Sequence, residues 1–228
     1  MADIAVDLDH ARQATRRLLD RAAGLDPDAL AGSSLLPGWT RAHVLAHLAR
    51  NADSHLRMLD GLRQYPSREV RAADIEKGAG QPADALVADL QQACDRLEER
   101  WRGIADWDAD IRTGDRAMTA RKLVRGRYRE VEIHHVDLDA GYRPADWPDG
   151  FAEWVLNQAA RSMAEKADAP RMSLVAVDAG GQWHTGEPAD VQVSGPARGL
   201  CAWLIGRSDG SDLSVRPEGP LPTPPPWL

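Results

Sequence analysis

Five of the seven histidines in the sequence fall in two short clusters. The first cluster holds His43, His47 and His55, and the second holds the adjacent pair His134 and His135. Imidazole is a frequent ligand of divalent transition metals and a general acid or base near neutral pH. Both clusters are therefore candidates for a functional site.

The second cluster also contains a carboxylate at helical spacing. Glu130 precedes His134 by four residues, so in a helix both side chains lie on one face, one turn apart. In the first cluster, helical geometry places His47 nearer to the predicted bundle interior than His43. Two imidazoles and one carboxylate from two helices would bind a divalent ion and leave one coordination position open, as in catalytic zinc sites. Zinc is the favoured ion.

Spacing alone leaves other interpretations open. His135 and Asp139 are also four residues apart and form a rival pair, and Glu132 is predicted to point away from the apolar stripe. A histidine on the flank of a helix is often a hydrogen-bonded core or surface residue with no metal. Asn51, one turn after His47, is a candidate to hydrogen-bond a ligand, or else an amide on the helix surface.

The residues around these clusters predict four helices of about 20 residues, because apolar side chains recur every three or four positions. The predicted helices span residues 4–25, 41–62, 81–104 and 120–141. Thr40 is the predicted N-cap of the second helix, and residues 63–80 are predicted to be a loop. Four helices of this kind predict a helical bundle.

Beyond residue 150 the pattern changes. We predict a helix over 151–166, a β-hairpin around the sequence DAGG, two further short strands, and an apolar helix over 197–205. The closing PLPTPPPWL is too rich in proline for a helix or a central strand, so we expect it to be extended. The predicted fold class is α+β with two domains, a four-helix bundle over 1–145 and a small α/β domain over 150–228.

Composition excludes several classes of protein. With 28 basic and 35 acidic residues, the chain has a net charge of −7 and no basic stripe for nucleic acid. No apolar run approaches the ~18 residues of a membrane span, and the first residues lack the apolar core of a signal peptide. Cys94 and Cys201 lie in apolar helical stretches, as free thiols in a reducing cytoplasm would. We expect a cytoplasmic protein without nucleic-acid or membrane partners; its oligomeric state is left open, with a monomer among the options.

Four segments of the sequence carry a resemblance to a known family. They are LPGWTRAHVLAHLARNADS, GRYREVEIHHVDLDAG, VSGPARGLCAWLIGRSDG and the closing PPPWL. In this order they resemble the mycothiol-dependent maleylpyruvate isomerase family, whose N-terminal domain is a DinB-like metalloenzyme bundle. The resemblance implies that His47, Glu130 and His134 are the metal ligands, with zinc or another divalent ion bound.

The resemblance also implies two functional arginines. One belongs to a Gly-Arg dipeptide after the apolar helix of the C-terminal domain and falls on Arg207. The other belongs to the segment after the second helix, where Arg71 fits best as a residue that binds substrate or thiol and Arg68 is the alternative. The competing interpretation is a solvated loop arginine for Arg71 or Arg68, and a cation that caps the last turn of a helix for Arg207.

The activity that the resemblance implies is the conversion of maleylpyruvate to its trans isomer fumarylpyruvate, a step of gentisate degradation. A double bond does not rotate readily, so a nucleophile must add and later depart. The low-molecular-weight thiol mycothiol would serve, ionised with help from the metal, while Arg207 pairs with a carboxylate or enolate. The alternatives are a mycothiol-dependent transferase that consumes the thiol, and a non-catalytic module that binds a small molecule.

Overall fold

The computed structural model of the chain describes residues 3–113 and 116–227, without the side chain of Arg116. The chain divides into two compact units, Met1–Gly141 and Tyr142–Leu228, which we call the N-terminal and C-terminal units. The first is helical apart from one hairpin, and the second combines helices with a four-stranded sheet. The predicted α+β fold class is confirmed.

The described part of the N-terminal unit contains four long helices, two shorter helices and one antiparallel hairpin. In chain order these elements are α1 (Ile4–Ala23), α2 (Pro27–Leu30), α3 (Arg41–Leu59), α4 (Arg68–Ala79), α5 (Ala83–Arg102), β1 (Asp110–Thr113), β2 (Arg116–Thr119) and α6 (Ala120–Asp137). The long helices are the four predicted from the apolar spacing. They pack through the pairs α3–α5, α1–α6, α3–α6 and α1–α5.

Helix α4 contradicts the predicted loop over residues 63–80. Its N-cap Ser67 accepts a hydrogen bond from the backbone N–H of Val70, which satisfies one free donor of the first turn. The helix has a weak apolar pattern because only Ile75 and Gly78 are buried. Gly78 lies directly against Ala46 of α3, where a Cβ at position 78 would come within 2.8 Å of the alanine Cβ. The close approach explains the glycine.

The core of the bundle is apolar along the facing stripes of the long helices. Its fully buried members include Leu18, Val44, Leu45, Leu48, Leu86, Leu90, Val124 and Val131. Each such side chain contributes about 1.5–3 kcal/mol through burial. Several polar side chains are nevertheless buried in the same unit, and they concentrate on α3 and α6: His47, Asn51, His55, Arg127, Glu132, His135 and Asp137. Because buried polar groups need partners, these residues mark the region to inspect for a site.

The C-terminal unit contains a 3-10 turn at Pro144–Asp146 and two helices packed on each other and on a sheet. Its elements are α7 (Phe151–Ala164), β3 (Met172–Ala176), β4 (Gln182–His184), β5 (Val191–Gly195), α8 (Ala197–Leu204) and β6 (Ser214–Arg216). The strand order is β4-β3-β5-β6, with β3 and β5 parallel and both outer strands antiparallel. The DAGG segment forms the predicted hairpin turn, and Gly180 takes a positive φ of 67° there.

The proline-rich C-terminal segment has no regular secondary structure, as predicted. Trp227 is buried near its end, and the Lys166 ammonium donates a hydrogen bond to the carbonyl of Pro226. The segment is therefore held against the C-terminal unit. Among all described helices, none is both long and apolar enough to cross a bilayer.

Candidate metal centre

His47 of α3 meets Glu130 and His134 of α6, and we call these three residues the triad. His47 Nε2 lies 3.2 Å from Glu130 Oε2, and His134 Nε2 lies 3.7 Å from the same oxygen. One ligand atom from each residue lies within 4.8 Å of the other two. In a tetrahedral zinc site with bonds of about 2.1 Å, ligand atoms are roughly 3.4 Å apart. The donor set and its spacing therefore fit a divalent metal with a position left open.

Local structure explains why His47 rather than His43 faces α6. The hydroxyl of Thr40 accepts from the backbone N–H of His43, and His43 Nδ1 accepts from the backbone N–H of Thr40. This reciprocal cap fixes the start of α3 and occupies the His43 ring, whose other nitrogen lies 3.2 Å from Glu76. His47, one turn further on, is left to face the partner helix.

The surroundings of His47 and Glu130 favour the protonation states that bind metal. Burial lowers the pKa of His47 to about 4 and outweighs the opposing hydrogen bond with Glu130. Burial alone would raise the pKa of the Glu130 carboxyl, but the hydrogen bond with His47 and the nearby His134 hold it well below its usual range. At neutral pH the His47 imidazole is therefore neutral and Glu130 is ionised, as metal ligands must be.

His134 has a carboxylate on its far side. Its Nδ1 lies 2.8 Å from Oδ2 of the buried Asp137, although the angle is outside hydrogen-bond geometry. Metal-binding histidines commonly direct their second nitrogen to a carboxylate, which orients the ring and raises its basicity. By its distance, Asp137 is placed for that role.

Asn51 supports Glu130 from α3. The amide is 2 % exposed, so the alternative of a helix-surface amide is wrong. Its Nδ2 donates to Glu130 Oε2 at 3.2 Å, and its Oδ1 accepts from Arg127 at 2.7 Å. Asn51 therefore orients the triad carboxylate, and its contact with substrate or thiol stays a prediction.

Arg71 on α4 is the arginine that reaches the triad. Its Nη2 lies 3.1 Å from His47 Nδ1, and its guanidinium lies over the Tyr65 ring at 5.6 Å. Arg68, the alternative from the sequence, is exposed on the same helix. Because a guanidinium only donates, His47 Nδ1 accepts this bond and Nε2 carries the proton that is donated to Glu130.

The other polar residues singled out in the sequence lie outside the triad. Asp139 pairs with Arg41 at 3.0 Å, and neither Asp139 nor His135 belongs to a group placed to hold a metal in the described part of the chain. Glu132, predicted to point away from the apolar stripe, is instead 1 % exposed and pairs with Arg17 of α1.

His55 is buried on the same stripe of α3, two turns beyond His47, but does not join the triad. Burial, followed by the charge of Arg127, lowers its pKa to about 3. Its ring is therefore neutral at physiological pH. We assign it no ligand role.

Arg207 lies in the C-terminal unit just after α8. Gly206 takes a φ of 76°, which ends the helix, and the half-buried Arg207 donates from Nη1 to the carbonyl of Ile205 at 2.8 Å. The guanidinium thus follows the helix C-terminus, where cations are favoured. Its part in catalysis stays a prediction.

Two further residues near the site, Tyr65 and Arg127, were not predicted from the sequence. Tyr65 precedes α4 and has no periodic signal. Arg127 could have been noticed, because it interrupts the apolar face of α6 between Val124 and Val131, where a charged residue needs a special reason.

The chain thus combines a helical bundle, in which three residues are placed to hold a metal ion, with a small unit of helices and strands, the architecture of a two-domain enzyme. A family model described as the mycothiol maleylpyruvate isomerase N-terminal domain matches residues 11–139, and the model of the MDMPI C-terminal domain matches residues 142–226. The chain belongs to the mycothiol maleylpyruvate isomerase family, so the family expected from its sequence segments is confirmed.

Two solved structures are similar over nearly the whole chain. The crystal structure of the mycothiol-dependent maleylpyruvate isomerase has 26% identity and a TM-score of 0.90, covering 99% of this chain and 98% of that chain. A histidine-to-alanine mutant of a mycothiol-dependent maleylpyruvate isomerase has 25% identity, a TM-score of 0.91 and the same coverage. No curated protein matched the sequence.

Proposed function

We propose that this chain is a mycothiol-dependent isomerase that converts maleylpyruvate to fumarylpyruvate. The observation that carries the proposal is the convergence of His47, Glu130 and His134 in a chain that matches both domains of the family. The two similar structures bear the name of this activity. Maleylpyruvate is a dianionic keto acid, so the site must also supply positive charge.

The triad would hold one divalent metal ion, and zinc suits its two nitrogens and one oxygen best. When bound, the ion supplies positive charge that favours the ionised form of a thiol at neutral pH. Asn51 holds the Glu130 carboxylate in place through its amide N–H. The Asp137 carboxylate lies 2.8 Å from Nδ1 of His134. Both contacts keep the ligands in position before any substrate arrives.

Neither cysteine of the chain is suited to act as the nucleophile. Cys94 and Cys201 are free and buried, and burial raises the pKa of both thiols. A thiol in that state is a poor nucleophile. The need for an external low-molecular-weight thiol follows, and mycothiol is the one that the family name specifies. Two free buried thiols also support a reducing compartment, and we place the enzyme in the cytoplasm.

A groove of about 410 Å³ beside the triad would receive the substrate or the thiol. Its lining includes Tyr65, Arg68, Arg71 and Thr113. Arg71 belongs both to this groove and to the contact with His47, so one side chain links the groove to the triad. The Tyr65 hydroxyl is buried and has no hydrogen-bond partner in the described part of the chain. Cationic and hydroxyl donors at this position suit a substrate with two carboxylates.

Metal binding would release Arg71 for the substrate. An imidazole bound through Nε2 carries its proton on Nδ1, and a protonated Nδ1 cannot accept from a guanidinium. Arg71 would then lose its bond to His47 while remaining at the mouth of the groove. We infer that it turns to a carboxylate of the substrate or to the thiol.

Replacing Arg71 with alanine is expected to lower kcat/KM by about 10- to 100-fold, the effect of losing one charge-assisted hydrogen bond of roughly 1.5–3 kcal/mol. Bound metal should remain, because Arg71 is not a ligand. The matched control is Lys77→Ala, an exposed cation of α4 outside the groove, which should change kcat/KM little. A larger loss in Arg68→Ala than in Arg71→Ala would show that the wrong arginine has been chosen.

The thiol is expected to act as a cofactor and to be returned unchanged. We expect many equivalents of fumarylpyruvate for each mycothiol present, constant free thiol throughout, and no activity without mycothiol. The double variant Cys94→Ser with Cys201→Ser should keep most of the thiol-dependent rate if it folds. The measurement follows both substrate isomers and free thiol in the same reaction.

Two outcomes of this experiment would contradict the proposal. Stoichiometric loss of thiol into a stable thioether would identify a mycothiol-dependent transferase instead. Turnover without added thiol that disappears in the double serine variant would place the nucleophile on the protein.

A further inference from the structure

A second cavity lies between α1 and α5, and none of the triad residues lines it. Its volume is about 500 Å³, which is within the range of small-molecule sites. Leu19, Thr15 and Leu97 contribute to its walls. Among the lining residues that are buried, we call Cys94, Trp101 and Arg127 the floor.

Arg127 brings an uncompensated charge to the floor. Its side chain is 1 % exposed, and its Nη1 donates to the carbonyl of Leu48 and to Asn51 Oδ1. Its Nη2 lies 3.4 Å from Cys94 Sγ, a weak acceptor. No carboxylate forms an ion pair with Arg127 in the described part of the chain. Because burying an unpaired charge is costly, an anion at the floor would be strongly favoured.

Trp101 provides a second unsatisfied donor on the floor. Its ring is 5 % exposed, and its Nε1 is buried without a hydrogen-bond partner among the described residues. An indole N–H left unpaired in the interior carries a desolvation penalty that an acceptor would remove. A buried cation and a buried N–H donor thus line the same cavity.

The charged residues that line the cavity carry a net positive charge, as Arg127 on the floor does. Four of these residues are arginines and two are acids. The acid Glu98 is already held by Arg12 at 2.8 Å and by Arg102 at 3.5 Å, which leaves it little repulsion for an incoming anion. With Leu19 and Leu97 on walls that are otherwise mainly polar, above a cationic floor, the cavity is complementary to a molecule with a carboxylate head and a short apolar body.

We propose that this cavity is a binding site for a small amphipathic carboxylate. The carboxylate would lie at the floor against Arg127 and Trp101 Nε1, and the apolar part would pack between α1 and α5. The site is separate from the proposed isomerase centre and does not depend on that activity. The expected ligand has one anionic end, because the floor provides hydrogen-bond donors, and a short apolar part that can contact Leu19 and Leu97 on the walls.

The test uses the full chain, labelled with ¹⁵N, and hexanoate as the probe. The indole N–H signal of Trp101 is assigned by its absence in Trp101→Phe. We expect hexanoate to shift this signal saturably, with a Kd of about 1 mM or tighter. Hexan-1-ol, which has the same chain without the charge, should bind at least about tenfold more weakly, because it cannot compensate Arg127.

A cavity-filling variant provides the second arm. Thr15→Phe should abolish the hexanoate shift while leaving Arg127 in place, whereas Gln13→Phe on the exposed side of α1 should keep it. The proposal fails if the folded wild-type chain shows no saturable shift, if hexan-1-ol binds as well as hexanoate, or if Thr15→Phe responds like the wild type. Since the readout needs neither metal nor turnover, such a failure would leave the isomerase proposal untouched.

Discussion

Replacing His47 or His134 with alanine is expected to abolish binding of the divalent ion, proposed to be zinc, and with it the isomerase activity. Each variant loses one of the three ligands, and even the loss of a supporting partner behind a ligand typically weakens metal binding by about 10- to 100-fold. The helical signal should remain, because the apolar core of the bundle is built from other residues. Metal analysis after dialysis of untagged protein, with circular dichroism alongside, measures both quantities.

The matched control for the metal prediction is His43→Ala, one turn earlier on α3. This variant should keep its zinc, but it should lose up to about 1 kcal/mol of stability because His43 completes the cap with Thr40. Full zinc content in both His47→Ala and His134→Ala would contradict the assignment of the triad.

Arg207→Ala is expected to keep its metal and its fold and to lose about 10²- to 10³-fold in kcat, by analogy with the removal of one oxyanion donor. The reason is that a guanidinium paired with the developing enolate or with a carboxylate stabilises charge in the transition state. Arg207→Lys should recover little of the loss, because an ammonium group cannot form the two parallel bonds of a guanidinium.

Steady-state kinetics with saturating mycothiol would measure the effect of Arg207→Ala. Arg161→Ala, which removes an exposed arginine at the end of α7 in the same unit, is the control for general loss of positive charge. Unchanged turnover in Arg207→Ala would remove this residue from the reaction and with it the proposed contribution of the C-terminal unit.

The four long helices of the bundle could be predicted because each buries a continuous apolar stripe. Their ends were harder to place. The second helix ends at Leu59 rather than near residue 62, just before Gly61 takes a φ of 76°. Helix α6 ends at Asp137, and a positive φ at Asp139 redirects the chain before Gly141 is reached. The strands β1 and β2 were not predicted, since their polar residues lack an alternating pattern.

For the candidate site, the sequence predicts which residues share one face of a helix. It does not predict which residues of different helices come into contact. The spacing of Glu130 and His134 follows from helical geometry alone, whereas their meeting with His47 depends on how α3 packs against α6. The apolar stripe of one helix does not predict the burial of Asn51. Its position beside the stripe becomes buried because a neighbouring helix covers it. The choice of Arg71 over Arg68 required α4, which the sequence pattern did not predict.

Helix α4 carries Arg71 to the triad, yet it is held to the rest of the unit by few buried side chains. Only Ile75 and Gly78 of its residues are buried, whereas α3 buries most of its length. Segments with so little buried surface open at a lower free energy than the elements they rest on. The backbone amides of α4 should therefore exchange with solvent sooner than those of α3, through local openings that leave the bundle folded. Such openings would carry Arg71 away from His47 and expose one side of the triad, giving a substrate and a bulky thiol a transient way in and a product a way out.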